Sequence, residues 1–93
     1  MPVTVRIPSY LAGFAGGRNS IAIGASPATV AEALAAVWNE YPGLRDRIVD
    51  EQGEVRQHIN IFVGEDAIRF AEGLATKVPA EAEIMIVPAV SGG

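Results

Sequence analysis

The sequence predicts a two-layer α+β domain, in which a mixed sheet of about four to five strands is covered on one face by one main helix. Three observations lead to this prediction. Apolar and polar residues alternate from Val3 to Ile7, an amphipathic stretch follows Ser26, and a nearly continuous apolar run ends at Val87. A single helix covers only one face of such a sheet, so the other face should remain open.

The first two strands are predicted to form a hairpin. Val3, Val5 and Ile7 alternate with polar residues, which is the period of a half-buried strand, and Pro8 ends it. A second short strand is predicted at residues 20–23. The connection between them is rich in small residues but lacks the Gly-Lys-Ser/Thr ending of a phosphate-binding loop, so we interpret its glycines as turn residues.

The main helix is predicted to begin at Ser26 and Pro27, because serine caps helices well and proline suits the first helical position. Apolar residues then recur with the spacing of one helix face, at Val30, Leu34, Val37, Trp38 and Tyr41. The Pro-Gly pair at 42–43 should end the helix. We interpret its two large aromatic residues as core anchors.

The second half of the chain supplies the remaining strands. A short helical turn at 44–49 and a polar loop at 50–57 precede a predicted strand at 58–63. Residues 67–70 are candidates for its hairpin partner. The apolar strand at 83–87 is predicted to be buried on both faces in the middle of the sheet.

Composition excludes several classes of function. Ninety-three residues make one domain, and eleven acidic against seven basic residues argue against a nucleic-acid partner. The chain has no cysteine, so disulfides and thiolate metal sites are excluded. No secretory signal or membrane-length apolar run is visible, which predicts no membrane partner and a cytoplasmic location.

The chain also offers few groups for catalysis. It has one histidine, His58, and no nucleophile, base and acid arrangement that would form a catalytic site. We interpret His58 as structural or exposed, and Asp46 between Arg45 and Arg47 as part of a solvated surface cluster. No set of residues has convincing metal-ligand spacing. We therefore expect a protein that is not an enzyme and binds no cofactor itself.

A short tail follows the last predicted strand. Its residues are Ala89, Val90, Ser91, Gly92 and Gly93. Five extended residues reach roughly 17 Å, and no side chain here is larger than valine. We therefore expect residues 1–88 to form the domain and residues 89–93 to form a flexible tail that threads a narrow channel into a partner's active site.

The ending of the chain, Ile-Val-Pro-Ala-Val-Ser-Gly-Gly over residues 86–93, resembles the termini of the ubiquitin-like (β-grasp) sulfur carriers. This family includes the small subunit of molybdopterin synthase, the thiazole-pathway carrier and the carrier used in thiocarboxylate-dependent cysteine synthesis. The resemblance implies a β-grasp fold. It covers essentially the whole chain, but the diglycine is its specific part.

Internal segments carry the resemblance further. Residues 60–63, 69–70 and 73–76 are similar to the molybdopterin and cysteine branches, and the longer first hairpin with Gly16-Gly17 looks most like the cysteine branch. Ser91 and the turn at residues 80–83 depart from the family pattern. Neither departure removes the diglycine.

The resemblance implies a mechanism centred on Gly93. A ubiquitin-activating-like enzyme uses ATP and Mg to adenylate the Gly93 carboxylate, and a sulfide or persulfide donor displaces AMP to give a thiocarboxylate. The sulfur then passes to an acceptor enzyme. A cysteine synthase-type enzyme and the large subunit of molybdopterin synthase are both compatible acceptors.

Partner docking is the remaining hypothesis. Phe62, Ile68 or Phe70 is expected on the sheet face that the helix leaves open, although these residues would equally serve to complete the core. Two other functions stay open. One is a ubiquitin-like modifier conjugated to target lysines through Gly93, and the other is an interaction domain with an inert tail.

Overall fold

The computed structural model describes residues 3–24 and 26–88 of the chain. Its strands are β1 (Val3–Arg6), β2 (Ser20–Ile23), β3 (Ile59–Val63), β4 (Asp66–Ala67) and β5 (Glu83–Pro88). Its α-helices are α1 (Val30–Glu40) and α2 (Arg45–Ile48). Short 3₁₀-helices lie at Ser9–Ala15, Pro42–Leu44, Ile68–Phe70 and Gly73–Ala75.

The five strands form one mixed sheet in the order β2-β1-β5-β3-β4. β1 and β2 pair antiparallel, which confirms the predicted hairpin. β5 lies in the middle, parallel to β1 and antiparallel to β3, as predicted for the last strand. β1 therefore ends, β3 begins and β5 ends at one end of the sheet, which we call the Pro88 end.

The core lies between one face of this sheet and α1. Along β5, Ile84 and Ile86 are buried against the helix side, while Met85 and Val87 on the opposite face are half-buried. The prediction that this strand is buried on both faces is therefore wrong for the second face. The reason is that no helix or strand among the described residues covers that face, so its apolar residues are shielded by their neighbours in the sheet.

The helix contributes one apolar stripe to the core. Its buried residues are Val30, Ala33, Leu34 and Val37. Trp38 and Tyr41 are partly buried and pack against the same core, which confirms their interpretation as anchors. The helix ends at Glu40, just before the Pro-Gly pair, and α2 confirms the helical turn predicted within residues 44–49.

The predicted start of α1 at Ser26 and Pro27 is wrong. Thr29 is the N-cap, and its side-chain oxygen accepts a hydrogen bond of 3.3 Å from the backbone N–H of Glu32. The Glu32 carboxylate in turn accepts a hydrogen bond of 3.1 Å from the backbone N–H of Ala28. This reciprocal arrangement closely resembles a capping box.

The segment before the helix is held in an extended conformation by a distant part of the chain. Thr29 forms an antiparallel bridge with Lys77, and the backbone N–H of Val78 donates to the carbonyl of Ala28 at 3.0 Å. A helix beginning at Pro27 would give up these contacts. Pairing with a sequence-distant segment thus overrides the local Ser-Pro signal.

The hairpin after β3 is shorter than predicted. A two-residue turn at Gly64 and Glu65, with Gly64 in the left-handed region at φ 60°, joins β3 to β4. β4 contains only Asp66 and Ala67, rather than extending over residues 67–70. The chain then enters a 3₁₀-helix that turns Ile68 into the core.

The capping arrangement leads to the first testable prediction. Thr29→Ala should lower the free energy of unfolding by about 1 kcal/mol, because the N–H of Glu32 loses its acceptor. Ser26→Ala, the matched control at the exposed position predicted from sequence, should change it by less than about 0.5 kcal/mol. Urea denaturation of both variants measures the difference, and equal losses would contradict the assignment of Thr29 as the cap.

Candidate functional site at the Pro88 end and the open sheet face

The tail residues singled out from the sequence lie outside the described residues. These residues are Ala89, Val90, Ser91, Gly92 and Gly93. The structure does describe the strand that leads to them. In β5, Val87 lies opposite Asn60, and Pro88 lies opposite Ile59. The sheet therefore fixes the point from which the tail begins.

A 3₁₀-helix closes the Pro88 end of the core between β1 and β2. Leu11 and Ala15 are buried, whereas Tyr10 and Phe14 are 57% and 39% exposed. The guanidinium carbon of Arg47 lies 4.6 Å from the centroid of the Phe14 ring, which is within cation–π range. Aromatic surface is thus exposed close to where β5 ends.

The sheet face that α1 leaves uncovered, called here the open sheet face, has an apolar centre. Met85 lies directly opposite Phe62 on one side and Arg6 on the other. Phe62 also lies opposite Ala67, so these side chains form one row across four strands. Arg6 pairs with Glu83 at 3.6 Å on the same face. The row therefore has a charged end at Arg6 on β1 and is apolar from Met85 to Ala67 on β4.

The three residues expected to grip partners fall into two groups. Phe62 is half-buried on the open sheet face, and Phe70 is 84% exposed. Both line one surface hollow of about 570 Å³. Ile68 is 4% exposed and belongs to the core, so its side chain is not available to a partner. The alternative that these residues complete the core holds for Ile68.

Sequence reasoning missed three residues of this surface. The continuous apolar run predicts Met85 and Val87 in a strand buried on both faces, and nothing in that run distinguishes them from Ile84 and Ile86. Arg69 donates a hydrogen bond to the side-chain oxygen of Asn60, and its guanidinium carbon lies 5.6 Å from the centroid of the Phe70 ring. No local pattern in the sequence signals that contact.

The other candidate groups have structural or surface roles. His58 is exposed, and Asp46 pairs with Arg45 at 3.3 Å on the surface. Over residues 3–24 and 26–88, no cluster of three or more His, Cys, Asp or Glu side chains is arranged to hold a metal ion. Within those same ranges, no helix has the length and apolar character needed to cross a membrane.

Tyr41 lies just after α1. A side-chain hydrogen bond with Glu40 is the main cause that raises the pKa of the Tyr41 phenol above 10.0, and desolvation and the Glu40 charge act in the same direction. The phenol is therefore neutral at physiological pH. Its contribution is packing against the core rather than nucleophilic chemistry.

Together, the mixed five-stranded sheet, the single main helix and the central last strand define a ubiquitin-like β-grasp domain. The ThiS family model matches residues 5–93 of the chain. The chain therefore belongs to the ThiS family, and the relatives that support this assignment are ubiquitin-like sulfur carriers.

Individual relatives agree with this assignment. The chain is 35% identical to the sulfur carrier protein CysO of Mycobacterium tuberculosis over 95 aligned residues, which span the whole of both chains. It is 36% identical to a chain in the crystal structure of the Amycolatopsis orientalis BexX/CysO complex, with a TM-score of 0.84 and coverage of 98% and 99%. SAMP1 of Haloferax volcanii, a small archaeal modifier protein, is 29% identical over the whole of both chains with a TM-score of 0.80.

These comparisons show the general role of the chain. It is a sulfur carrier rather than a catalyst.

The division between Ile68 and Phe70 gives the second testable prediction. Ile68→Ala should lower the free energy of unfolding by about 2–5 kcal/mol, because it leaves a cavity in the core. Phe70→Ala should change it by less than about 0.5 kcal/mol, since the ring is mostly in solvent. Urea denaturation compares the two variants, and a large loss for Phe70→Ala would show that its ring supports the fold.

Proposed function

We propose that this chain carries sulfur as a thiocarboxylate on Gly93 and delivers it to an acceptor enzyme. The observation that carries the proposal is the family match, which extends through the terminal diglycine to residue 93. The position of β5 supports it, because a strand paired on both sides leads directly to the small-residue tail. The carrier supplies delivery and recognition, and its partners supply the catalysis.

The chemistry begins with activation of a poor electrophile. The Gly93 carboxylate has no leaving group, so an activating enzyme joins it to AMP from ATP, with Mg²⁺ neutralising the phosphates and pyrophosphate leaving. Sulfide then attacks the carbonyl carbon, a C–S bond forms, and the C–O bond to AMP breaks. The products are AMP and the Gly93 thiocarboxylate, whose sulfur is the nucleophile offered to the acceptor.

The residues of this chain would act by positioning. The sheet holds Pro88 opposite Ile59, and a tail of five residues reaches roughly 17 Å beyond that point. Residues 89–93 carry no side chain larger than valine, which suits a narrow channel. Because Gly92 and Gly93 lack side chains, an enzyme can approach the reacting carbonyl closely.

Two kinds of partner follow from this proposal. One is a ubiquitin-activating-like adenylating and sulfur-transferring enzyme, and the other is an acceptor of the cysteine synthase or molybdopterin synthase type. The structure of a relative in complex with BexX supports the idea that such carriers bind other proteins stably enough to crystallise. Because the activation step consumes ATP, we propose a cytoplasmic location for this chain.

The open sheet face is the proposed docking surface for the activating enzyme. Phe62 and Phe70 would provide its apolar contacts, together with Met85, which lies opposite Phe62. Large aromatic residues are common anchors of protein interfaces. This face and the tail root belong to the same strand, so docking here would aim the tail at a fixed point in the partner.

Thiocarboxylate formation gives the third testable prediction. Purified chain incubated with the cognate activating enzyme, Mg-ATP and sulfide should gain the mass of one sulfur in place of one oxygen, and fragmentation should map the gain to Gly93. A variant lacking Gly92 and Gly93 is the control and should show no gain. If an enzyme verified as active on a known carrier leaves the wild-type mass unchanged and forms no adenylate, the proposed function is wrong.

The docking surface gives the fourth prediction. Phe70→Ala should raise the KM of the activating enzyme for the carrier about tenfold or more while leaving kcat unchanged, because an exposed anchor contributes to binding and not to adenylate chemistry. Asn39→Ala, a truncation at an exposed position of α1 on the other side of the sheet, is the control. Steady-state pyrophosphate exchange measures both constants, and equal effects of the two substitutions would exclude a specific role for Phe70.

The second candidate function is a protein modifier joined to target lysines through Gly93. The likeness to SAMP1 of Haloferax volcanii favours it, and both functions use the same activated carboxylate. The chain has one lysine, Lys77, so chains of linked copies could grow only through that residue. Lysates probed for this protein would reveal the modifier function as higher-mass conjugates that disappear when Gly93 is deleted.

A further inference from the structure

A groove beside the root of the tail is not explained by the fold. It has a volume of about 540 Å³ and lies along β3, where Ile59 and Asn60 contribute to its lining. These two residues lie opposite Pro88 and Val87, the last described residues of β5. The groove therefore borders the point at which the tail leaves the sheet.

Two arginines, Arg56 and Arg69, line this groove. The Nε–H of Arg56 donates to the backbone carbonyl of Asp46 at 2.8 Å, and Arg69 donates to the side-chain oxygen of Asn60. Each guanidinium is held by one hydrogen bond, although it has five N–H donors. Most of the donors therefore remain available for a carboxylate.

Neither arginine forms an ion pair closer than 4.0 Å with an acidic side chain of the described residues. Within residues 3–24 and 26–88, the ion pairs closer than 4.0 Å join Arg6 to Glu83 and Arg45 to Asp46. Glu54 also lines the groove but is not among these pairs. The groove thus holds two positive charges and one negative charge, on a chain whose formal net charge is -4.

We infer that this groove receives a carboxylate-bearing segment of the activating enzyme, next to the channel that takes the tail. The inference rests on the proposed function. A guanidinium held in place by a hydrogen bond loses little freedom when it forms a bidentate pair with a carboxylate. Val55 and Leu74, which pack against the core, give the groove an apolar wall for the stem of an acidic side chain.

The groove also determines orientation. An acidic carrier favours a basic surface on its partner, and such long-range attraction does not distinguish one rotation of the carrier from another. A positively charged groove at one defined place on that surface does, because a rotation of the carrier must place the partner's carboxylate against it. Since the groove lies beside Pro88, the same rotation directs the tail.

The carboxylate of Gly93 is the competing occupant. Five residues separate it from Pro88, so the tail can reach up to roughly 17 Å from that point. During activation that carboxylate must be in the enzyme's active site. The groove then faces the surface of the enzyme around the channel, which is why we assign it to the partner.

Kinetics of adenylation by the purified activating enzyme test the assignment. Arg56→Gln/Arg69→Gln should raise the KM for the carrier about tenfold at low salt and leave kcat unchanged, since steering and docking are lost but the tail is intact. Raising the salt concentration should reduce the difference from wild type. Arg69→Lys, which keeps the charge but loses the bidentate fork, should give an intermediate KM.

Arg18→Gln is the matched control, because it makes the same change of charge at an exposed position outside the groove. If it raises KM as much per charge as the groove substitutions do, net charge explains the effect and the assignment is wrong. A double variant with wild-type KM also overturns it. Thermal unfolding of each variant should remain cooperative, with only a small loss from the Arg56–Asp46 and Arg69–Asn60 hydrogen bonds, so that every variant is folded in the kinetic assay.

NMR of the free carrier separates the competing occupant. The Gly92 and Gly93 amide shifts should be the same in wild type and Arg69→Gln, and a shift confined to these residues would place the chain's own carboxylate in the groove. If the wild-type chain is not adenylated at all, the proposed function fails and the inference fails with it. If it is adenylated normally and only the groove effect is missing, the inference alone is wrong.

Discussion

The pairing of β5 with two different neighbours constrains the rest of the molecule. β1 holds it on one side in parallel register and β3 on the other in antiparallel register, while Ile84 and Ile86 are buried against α1. A slip of one residue would turn both isoleucines out of the core, so the register is strongly fixed. The end of the strand at Pro88 is therefore a fixed point, and everything that the tail reaches is measured from it.

This constraint explains how so small a chain can act without catalytic groups. The open sheet face, the arginine-lined groove and the tail root are all set by β3 and β5, so a partner docked on the first two as proposed would also locate the third. In the proposed function, the carrier supplies recognition and reach, and its partners make and break the bonds. This division fits the proposed function, in which the reacting group is the carboxylate of Gly93.

Local sequence signals predicted much of this fold, and the failures share a cause. Alternation located β1 and β2, runs rich in apolar residues located β3 and β5, and the Pro-Gly pair located the end of α1, because each of these signals is carried by neighbouring residues. The start of α1 was placed at Ser26 because Ser-Pro is a good local cap, whereas pairing of Thr29 with Lys77 decided the outcome. Within one 3₁₀-turn, Ile68 is buried and Phe70 is exposed. Which of the two side chains enters the core depends on how the chain leaves β4.

The candidate site also contains one part that the sequence predicts and one part that it does not. The diglycine was visible as a motif, but the groove was not, because Arg56 and Arg69 are brought together only by the path of the chain around β3. The most direct test of the central claim is the C-terminal chemistry of the protein isolated from its own cells. Mass spectrometry should find free carrier with one oxygen of Gly93 replaced by sulfur. Gly93 found only as an unmodified carboxylate, or only in isopeptide bonds to lysines of other proteins, would contradict the account.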